Sequence, residues 1–333
     1  MGYIVTIDSG TSNTRMYLWE EQGACLHAYR AAVGVRNTAM DGHNRALQDA
    51  VREGLSNLLA AGSVPADDVK MIIAGGMITS NVGLYELPHV KAPAGKQDLV
   101  DGIRAVVIDT VSAHSIHFIP GVKNTVESVG ENNFEAMDIM RGEEVETMAV
   151  LEKVRPGIPS LLILPGSHTK FVSVDSSGQI TGCLTTLTGE LLSCITEYSI
   201  LADAVKKSYV QPDTYDKNMV IKGYEASGAV GFSRAAFSAR ILNQFTDKKP
   251  AQIANFLLGA ILNQDITALK HSSALRLEKD HRIVVCGDSA TGKALGDLLE
   301  RDGSFGPVQR VGGEDIPLSA AGAYALAKEY LKQ

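Results

Sequence analysis

The stretch IDSGTSNTR, residues 7–15, decides how this chain is read. The apolar, β-branched run before it, Tyr3–Ile7, predicts a strand. The run after it, Thr14–Trp19, predicts a second. Between them lies a turn of Asp, Ser, Gly, Thr, Ser and Asn, residue types that close an ordinary hairpin. The same backbone N–H groups around Gly10, Thr11, Ser12 and Asn13 can cradle a phosphate, and Asp8 at the strand end can hold a hydrated Mg²⁺ beside it. Both readings fit these residues taken alone.

Outward from this hairpin, Cys25–Val33 continues as a third strand. Asn44–Ala61 has the period of an amphipathic helix, with Leu47, Val51, Leu55 and Leu58 on one face. Val69–Ala74 and Ser115–Ile119 predict further strands, ended by Gly75-Gly76 and Pro120-Gly121. Glu143–Val154 reads as a helix, and after Pro156-Gly157 the opening pattern returns. Leu161–Leu164 is a strand, PGSHTK (165–170) a polar turn, and Phe171–Val174 and Gln179–Thr185 are two more strands. Helical patterns fill much of 190–275, followed by a strand at Arg282–Cys286 and helices at Lys293–Arg301 and Ala320–Leu331. Two halves that each open on a polar-turn hairpin predict two α/β lobes with a cleft between them. The lobes are expected at 1–137 and 138–333, with the terminal helix able to pack back on the first.

Composition narrows the function classes. A chain of 333 residues exceeds one average domain and can bury two cores. With 45% hydrophobic and 21% charged residues it is ordinary globular protein, neither disordered nor fibrous. A net charge of −7 without a Lys/Arg stripe argues against nucleic acid or an anionic membrane as partner. Cys25, Cys183, Cys194 and Cys286 form no CxxC pair, which favours free thiols over a metal knuckle or a disulfide framework. Met1 runs straight into a strand, and no apolar run reaches the ~20 residues that span a bilayer. A cytoplasmic location is expected.

The second turn can bind phosphate through Gly166, Ser167, Thr169 and Lys170, and two facing hairpins could grip one triphosphate. His168 reads as a packed residue or as part of that contact. In MDIMRGEEVE (137–146), Glu143 and Glu144 stand near a helix start, where the dipole favours negative charge. A carboxylate there could also orient a hydroxyl nucleophile and accept its proton. Arg141 offers a fork for a substrate carboxylate or neutralises Glu144. Thr188-Gly189-Glu190 follows the second hairpin, and Glu190 either caps the next helix or reaches substrate hydroxyls. Gly287–Ala294 nearly spells a P-loop, but Ala294 stands where the Mg²⁺-binding Ser or Thr belongs, and too little chain follows for further βαβ units. A Rossmann oxidoreductase is disfavoured because no complete GxGxxG opens a βαβ unit. A nucleotide-dependent regulatory switch is the remaining alternative class.

Taken in order, IDSGTSNTR, GGMITSNVG (75–83), MRGEE (140–144), LPGSHTK (164–170), TGE (188–190), CGDSATG (286–292) and Ala320-Ala-Gly-Ala-Tyr324 resemble the 2-dehydro-3-deoxygalactonokinase family. That family belongs to the actin, hexokinase and heat-shock ATPase superfamily. The resemblance implies an α/β, two-lobed actin/hexokinase-like (ribonuclease H-like) fold with ATP and Mg²⁺ in the cleft. It implies phosphate contacts from Asp8, Gly10, Thr11, Ser12, Asn13, Gly166, Ser167, His168, Thr169 and Lys170, and an adenosine loop at Gly287, Asp288 and Ser289. Asp8 would meet the metal. Glu143, or second to it Glu144, would be the base, and Arg141 would hold the substrate carboxylate. Ser80, Asn81, Gly83, Thr188 and Glu190 would be further substrate contacts. The implied reaction is phosphorylation of 2-dehydro-3-deoxy-D-galactonate, a small-molecule sugar acid, with the gluconate epimer as the alternative substrate. Ser9 stands where the family is associated with an aromatic residue, so the choice between epimers stays open, as does a homodimer.

Overall fold

β-Branched and aromatic residues dominate the first strand, β1 (Tyr3–Ser9), which is buried along most of its length because other strands flank it on both sides. The computed structural model describes residues 2–277, 281–312 and 315–333. β1 pairs antiparallel with β2 (Thr14–Glu20), and β2 with β3 (Cys25–Ala31). Two helices follow, α1 (Val35–Asp41) and α2 (Arg45–Gly62). The predicted stripe of α2, Leu47, Val51, Leu55 and Leu58, packs on Val5, Ile7, Met16 and Leu18 of the sheet. β4 (Val69–Gly76) then lies parallel to β1. Beyond it come β5 (Val90–Lys91), α3 (Lys96–Gly102), β6 (Arg104–Ile108), β7 (Ser112–Phe118), β8 (Val122–Lys123) and β9 (Ile139–Met140). The first sheet has the order β3-β2-β1-β4-β7-β6, and the two-residue strands form a small sheet β5-β8-β9.

The second lobe repeats the plan. After α4 (Glu143–Lys153), β10 (Ser160–Leu164), β11 (Thr169–Val174) and β12 (Ile180–Thr186) form an antiparallel meander. Four helices follow, α5 (Thr188–Tyr198), α6 (Lys217–Val230), α7 (Phe232–Phe245) and α8 (Pro250–His271). The chain ends in β13 (Arg282–Cys286), α9 (Ala290–Asp302), β14 (Val308–Val311) and α10 (Leu318–Tyr330). The sheet order is β12-β11-β10-β13-β14, with β13 parallel to β10 and β14 parallel to β13. Once the edge strand β6 is set aside, both sheets show three antiparallel strands and two more parallel to the first. This is the duplicated ribonuclease H-like order of the actin/hexokinase-like fold. α8 is buried along most of its length, and its Leu258, Ile261 and Leu262 share one core with Leu161, Ile163 and Phe171. Among the described residues no helix is long and apolar enough to cross a membrane.

The elements absent from the sequence reading are those with the weakest local signal. β6 and β14 lie at sheet edges and are largely exposed, so neither carries a buried alternation. α1 and α3 run only seven residues each. α9 begins at Ala290, not Lys293, because Ser289 caps it by accepting from the Gly292 N–H at 3.1 Å.

α4 and α10 lie between the sheets. One apolar cluster joins Ile4 and Ile73 of the first sheet, Val145 and Met148 of α4, Ala323 and Leu326 of α10, and Leu162 and Val284 of the second sheet. α10 also packs on β1, β4 and α3. The two helices cross so closely that a Cβ on Gly322 would lie 1.9 Å from the Val145 carbonyl oxygen. Gly322→Ala should therefore push α10 off α4 and lower the Tm by roughly 2–8 °C in scanning fluorimetry, the scale of a 1–3 kcal/mol overpacking cost. Gly130→Ala, whose nearest neighbour would lie 4.0 Å away, should leave the Tm unchanged.

Candidate active site

The ends of the central strands of both sheets open on one cleft of about 930 Å³. The β1–β2 turn contributes Asp8, Gly10 and Thr11, and the β10–β11 turn contributes Gly166, Ser167, His168 and Lys170. The end of β13 adds Gly287 and Asp288, the segment after β4 adds Ser80 and Asn81, and the start of α4 adds Arg141, Gly142, Glu143 and Glu146. Motifs far apart in the chain thus meet because corresponding strands of a duplicated sheet end on the same side.

In the first turn, the Gly10 N–H closes the loop on the Asn13 carbonyl oxygen at 2.9 Å. Ser12 and Asn13 lie outside the cleft lining, and the Asn13 Oδ1 accepts from Arg30 at 3.2 Å. Asp8 accepts from the Ser319 hydroxyl at 2.9 Å and lies 3.6 Å from the Arg15 guanidinium. Burial pushes its carboxyl up despite both partners.

Several expected contacts fall elsewhere. Glu144, the alternative base, is fully buried and lies outside the cleft lining, because its carboxylate folds back to accept from the Gly142 N–H at 2.8 Å. Thr188 is buried and donates its hydroxyl to Asp265, not to the cleft. Glu190 turns outward and meets His168 Nε2 at 2.7 Å. Gly83 is a packing residue, since a Cβ there would lie 2.1 Å from the Ile78 carbonyl oxygen. Thr169 is buried within β11, opposite Thr186. Ser289 serves as the cap of α9. Lys170 lines the cleft but is 5% exposed, and its ammonium donates to the Ile139 carbonyl at 2.8 Å and to the Thr185 hydroxyl. Ser80 donates to the Met77 carbonyl at 2.7 Å.

Arg141 sits half-buried with its guanidinium on the Thr79 hydroxyl at 2.7 Å and the Leu87 carbonyl. These bonds hold the fork at the cleft wall, where the carboxyl groups of Glu144 and Glu86 act on it electrostatically. His89, also in the wall, has its pKa lowered to about 4 by burial and by the cations Arg141 and Lys123, so it is neutral at pH 7. Glu146 is a cleft residue that the motifs did not reveal. Burial and the neighbouring carboxylates Glu143 and Asp8 raise its pKa to about 8. A signal existed: Glu146 stands three residues after Glu143 and therefore on the same helical face. His89 and Ser319 carried no local signal, since loop and helix bring them in from distant segments.

Burial and the charge of Glu143 raise the Glu144 carboxyl to about 8 as well. An unfolded chain releases that proton near a pH of ~4.3. The folded state holds more protons between these values, so stability is full below the lower pH and falls as pH rises toward the upper. Glu144→Gln keeps an acceptor for Gly142 but cannot ionise. Its Tm should exceed that of the unsubstituted protein by a margin that widens from pH 5 to pH 8. A margin constant with pH would locate the effect in packing.

The model of the 2-keto-3-deoxy-galactonokinase family matches residues 8–316. The DgoK1 protein of Rhizobium meliloti (strain 1021), provisionally named a 2-dehydro-3-deoxygalactonokinase, is 28% identical over 93% of this chain and 85% of its own. The 2-dehydro-3-deoxygalactonokinase of Escherichia coli (strain K12) is 24% identical over 82% and 84%. The crystal structure of a provisionally named 2-dehydro-3-deoxygalactonokinase from Sinorhizobium meliloti superposes with a TM-score of 0.74, covering 98% of this chain and 96% of that one at 24% identity, a likeness of fold. The family match runs through both hairpins, the acidic start of α4 and the turn after β13, and the chain belongs to the 2-keto-3-deoxy-galactonokinase family.

Proposed function

We propose that the protein transfers the γ-phosphoryl group of ATP to the terminal hydroxyl of 2-dehydro-3-deoxy-D-galactonate, giving the 6-phosphate. The observation that carries this reading is that two polar hairpins, Arg141 and the start of α4 line one cleft. The triphosphate lies between the turns at Gly10-Thr11 and Gly166-Ser167-His168, and the adenosine lies toward Gly287 and Asp288. Arg141 binds the substrate carboxylate, with Ser80 and Asn81 beside it. Glu143, at the first turn of α4, orients the nucleophilic hydroxyl and takes its proton. The lobes divide near residues 137–138 and close on the substrates, which excludes water as a competing acceptor.

The oxygen donors suit a hard cation. Asp8, Glu143 and Glu146 bear on one another electrostatically at the cleft floor, where an added positive charge relieves their repulsion. Among the described residues no three such groups gather to hold a metal unaided. A Mg²⁺ would therefore rest on phosphate oxygens and water, with Asp8 as its protein carboxylate. When bound, it neutralises charge on the transferring phosphoryl group.

A coupled ADP-release assay with MgATP and both epimers of the 2-keto-3-deoxy acid should show kcat/KM at least about 10-fold higher for the galacto compound, the scale of one well-placed hydrogen bond. A gluco preference would reassign the substrate, and silence with every acid would favour a nucleotide switch. Glu143→Gln should lower kcat by about 10²- to 10⁴-fold while calorimetric ATP affinity stays near normal. Near-normal turnover would move the base to Glu146.

A further inference from the structure

Asp265 lies on α8, the helix at the centre of the second lobe's core, and is 2% exposed. Its carboxylate has no part in the reaction as described. It meets hydroxyls: Thr188 Oγ1 donates to it, 2.6 Å from either oxygen. Thr186 is hydrogen-bonded to the same carboxylate, and its Oγ1 lies 2.9 Å from that of Thr188. A carboxylate buried on hydroxyls, with no cation bonded to it among the described residues, is a costly way to pack a helix, since leucine or valine would bury there with no charge to desolvate.

The arrangement fixes the start of α5. Thr188 is its first residue, and the two residues after it grip the second hairpin. Gly189 presses on that turn so closely that a Cβ would lie 2.3 Å from the Gly166 carbonyl oxygen and 2.8 Å from the Ser167 Cα. The Glu190 N–H donates to the Ser167 carbonyl at 2.9 Å, and the Glu190 carboxylate meets His168 at 2.7 Å. A continuous bonded path therefore runs from α8 through residues 188–190 to Gly166, Ser167 and His168 in the cleft wall.

We propose that Asp265 is a positioning residue for the nucleotide-phosphate site: by holding Thr188 it sets where the Gly166–His168 turn stands in the cleft. It touches neither substrate. Small displacements of such a turn change the alignment of the reacting phosphate. The inference rests on the kinase reading for which molecule fills the cleft, and its test separates the two.

Steady-state kinetics on the full chain would vary ATP and the sugar acid independently, beside direct titration with a non-hydrolysable ATP analogue and Mg²⁺. In Asp265→Asn, the KM for ATP and the Kd for the analogue should rise about 10-fold, the scale of one hydrogen bond to a charged group, with the sugar-acid KM within about twofold. Thr188→Val should do the same and Thr188→Ser should restore normal values. The double variant Asp265→Asn, Thr188→Val should be no worse than the worse single one, because both break one link. An unchanged ATP KM and analogue Kd in Asp265→Asn would overturn the proposal. So would equal rises in both KM values, which mark a general loss of structure. Should Asp265→Asn fail to fold, the Val and Ser variants of Thr188 decide alone. Unsubstituted protein that binds the analogue yet phosphorylates no acid would fail the kinase reading while the titrations still judge Asp265. Protein that binds no nucleotide overturns both.

Discussion

The crossing of α10 over α4 at Gly322 is the contact on which the cleft depends. α4 carries Glu143 and Glu146 at its cleft end, and α10 carries Ser319, which bonds to Asp8. Because no side chain fits between the helices at this point, the last helix of the chain sets both the acidic helix start and the strand end of the first hairpin. The apolar cluster around them includes residues of both sheets. The packing that joins the lobes thus also aligns the polar groups at their mouth.

Electrostatics at the cleft floor run against stability. Glu146 is pushed up to about 8 and Asp8 is raised by burial, and Glu144, buried outside the lining, is pushed up to about 8 as well. Carboxylates massed in a desolvated site repel one another, and each raises the proton affinity of its neighbours. The part of the lining around Arg141 is different in character. Arg141 is held by the Thr79 hydroxyl and the Leu87 carbonyl, and His89 beside it is neutral at pH 7. Charged groups of both signs therefore line one space, with Arg15 3.6 Å from Asp8 and Glu86 acting on Arg141.

Much of the fold was legible because its signals are local. Apolar runs bounded by polar turns mark the meanders β1–β3 and β10–β12, the period of Leu47, Val51, Leu55 and Leu58 marks α2, and two hairpins of similar chemistry mark the duplication. Edge strands β6 and β14 escaped because exposed strands carry no buried face to alternate. Among the site residues, Asp8, Gly10, Thr11, Gly166, Ser167, His168 and Arg141 line the cleft. The resemblance implies substrate contacts at Thr188 and Glu190, with a helix cap as the alternative for Glu190; in the structure Thr188 bonds to Asp265 and Glu190 to Ser167 and His168. Nothing local distinguishes a threonine facing a ligand from one facing Asp265, seventy-seven positions away.

The sequence by itself determined the two α/β lobes, the two phosphate-type turns, the acidic helix start and the family resemblance, because each rests on residues close enough in the chain to form a pattern. Only the tertiary structure decided which of two adjacent glutamates faces the cleft. Rotation by about 100° per residue on a helix sends neighbours to different surroundings, and packing against α10 selects the face. It alone placed His89, Ser319 and Asp265, since their roles come from contacts between segments far apart in the chain.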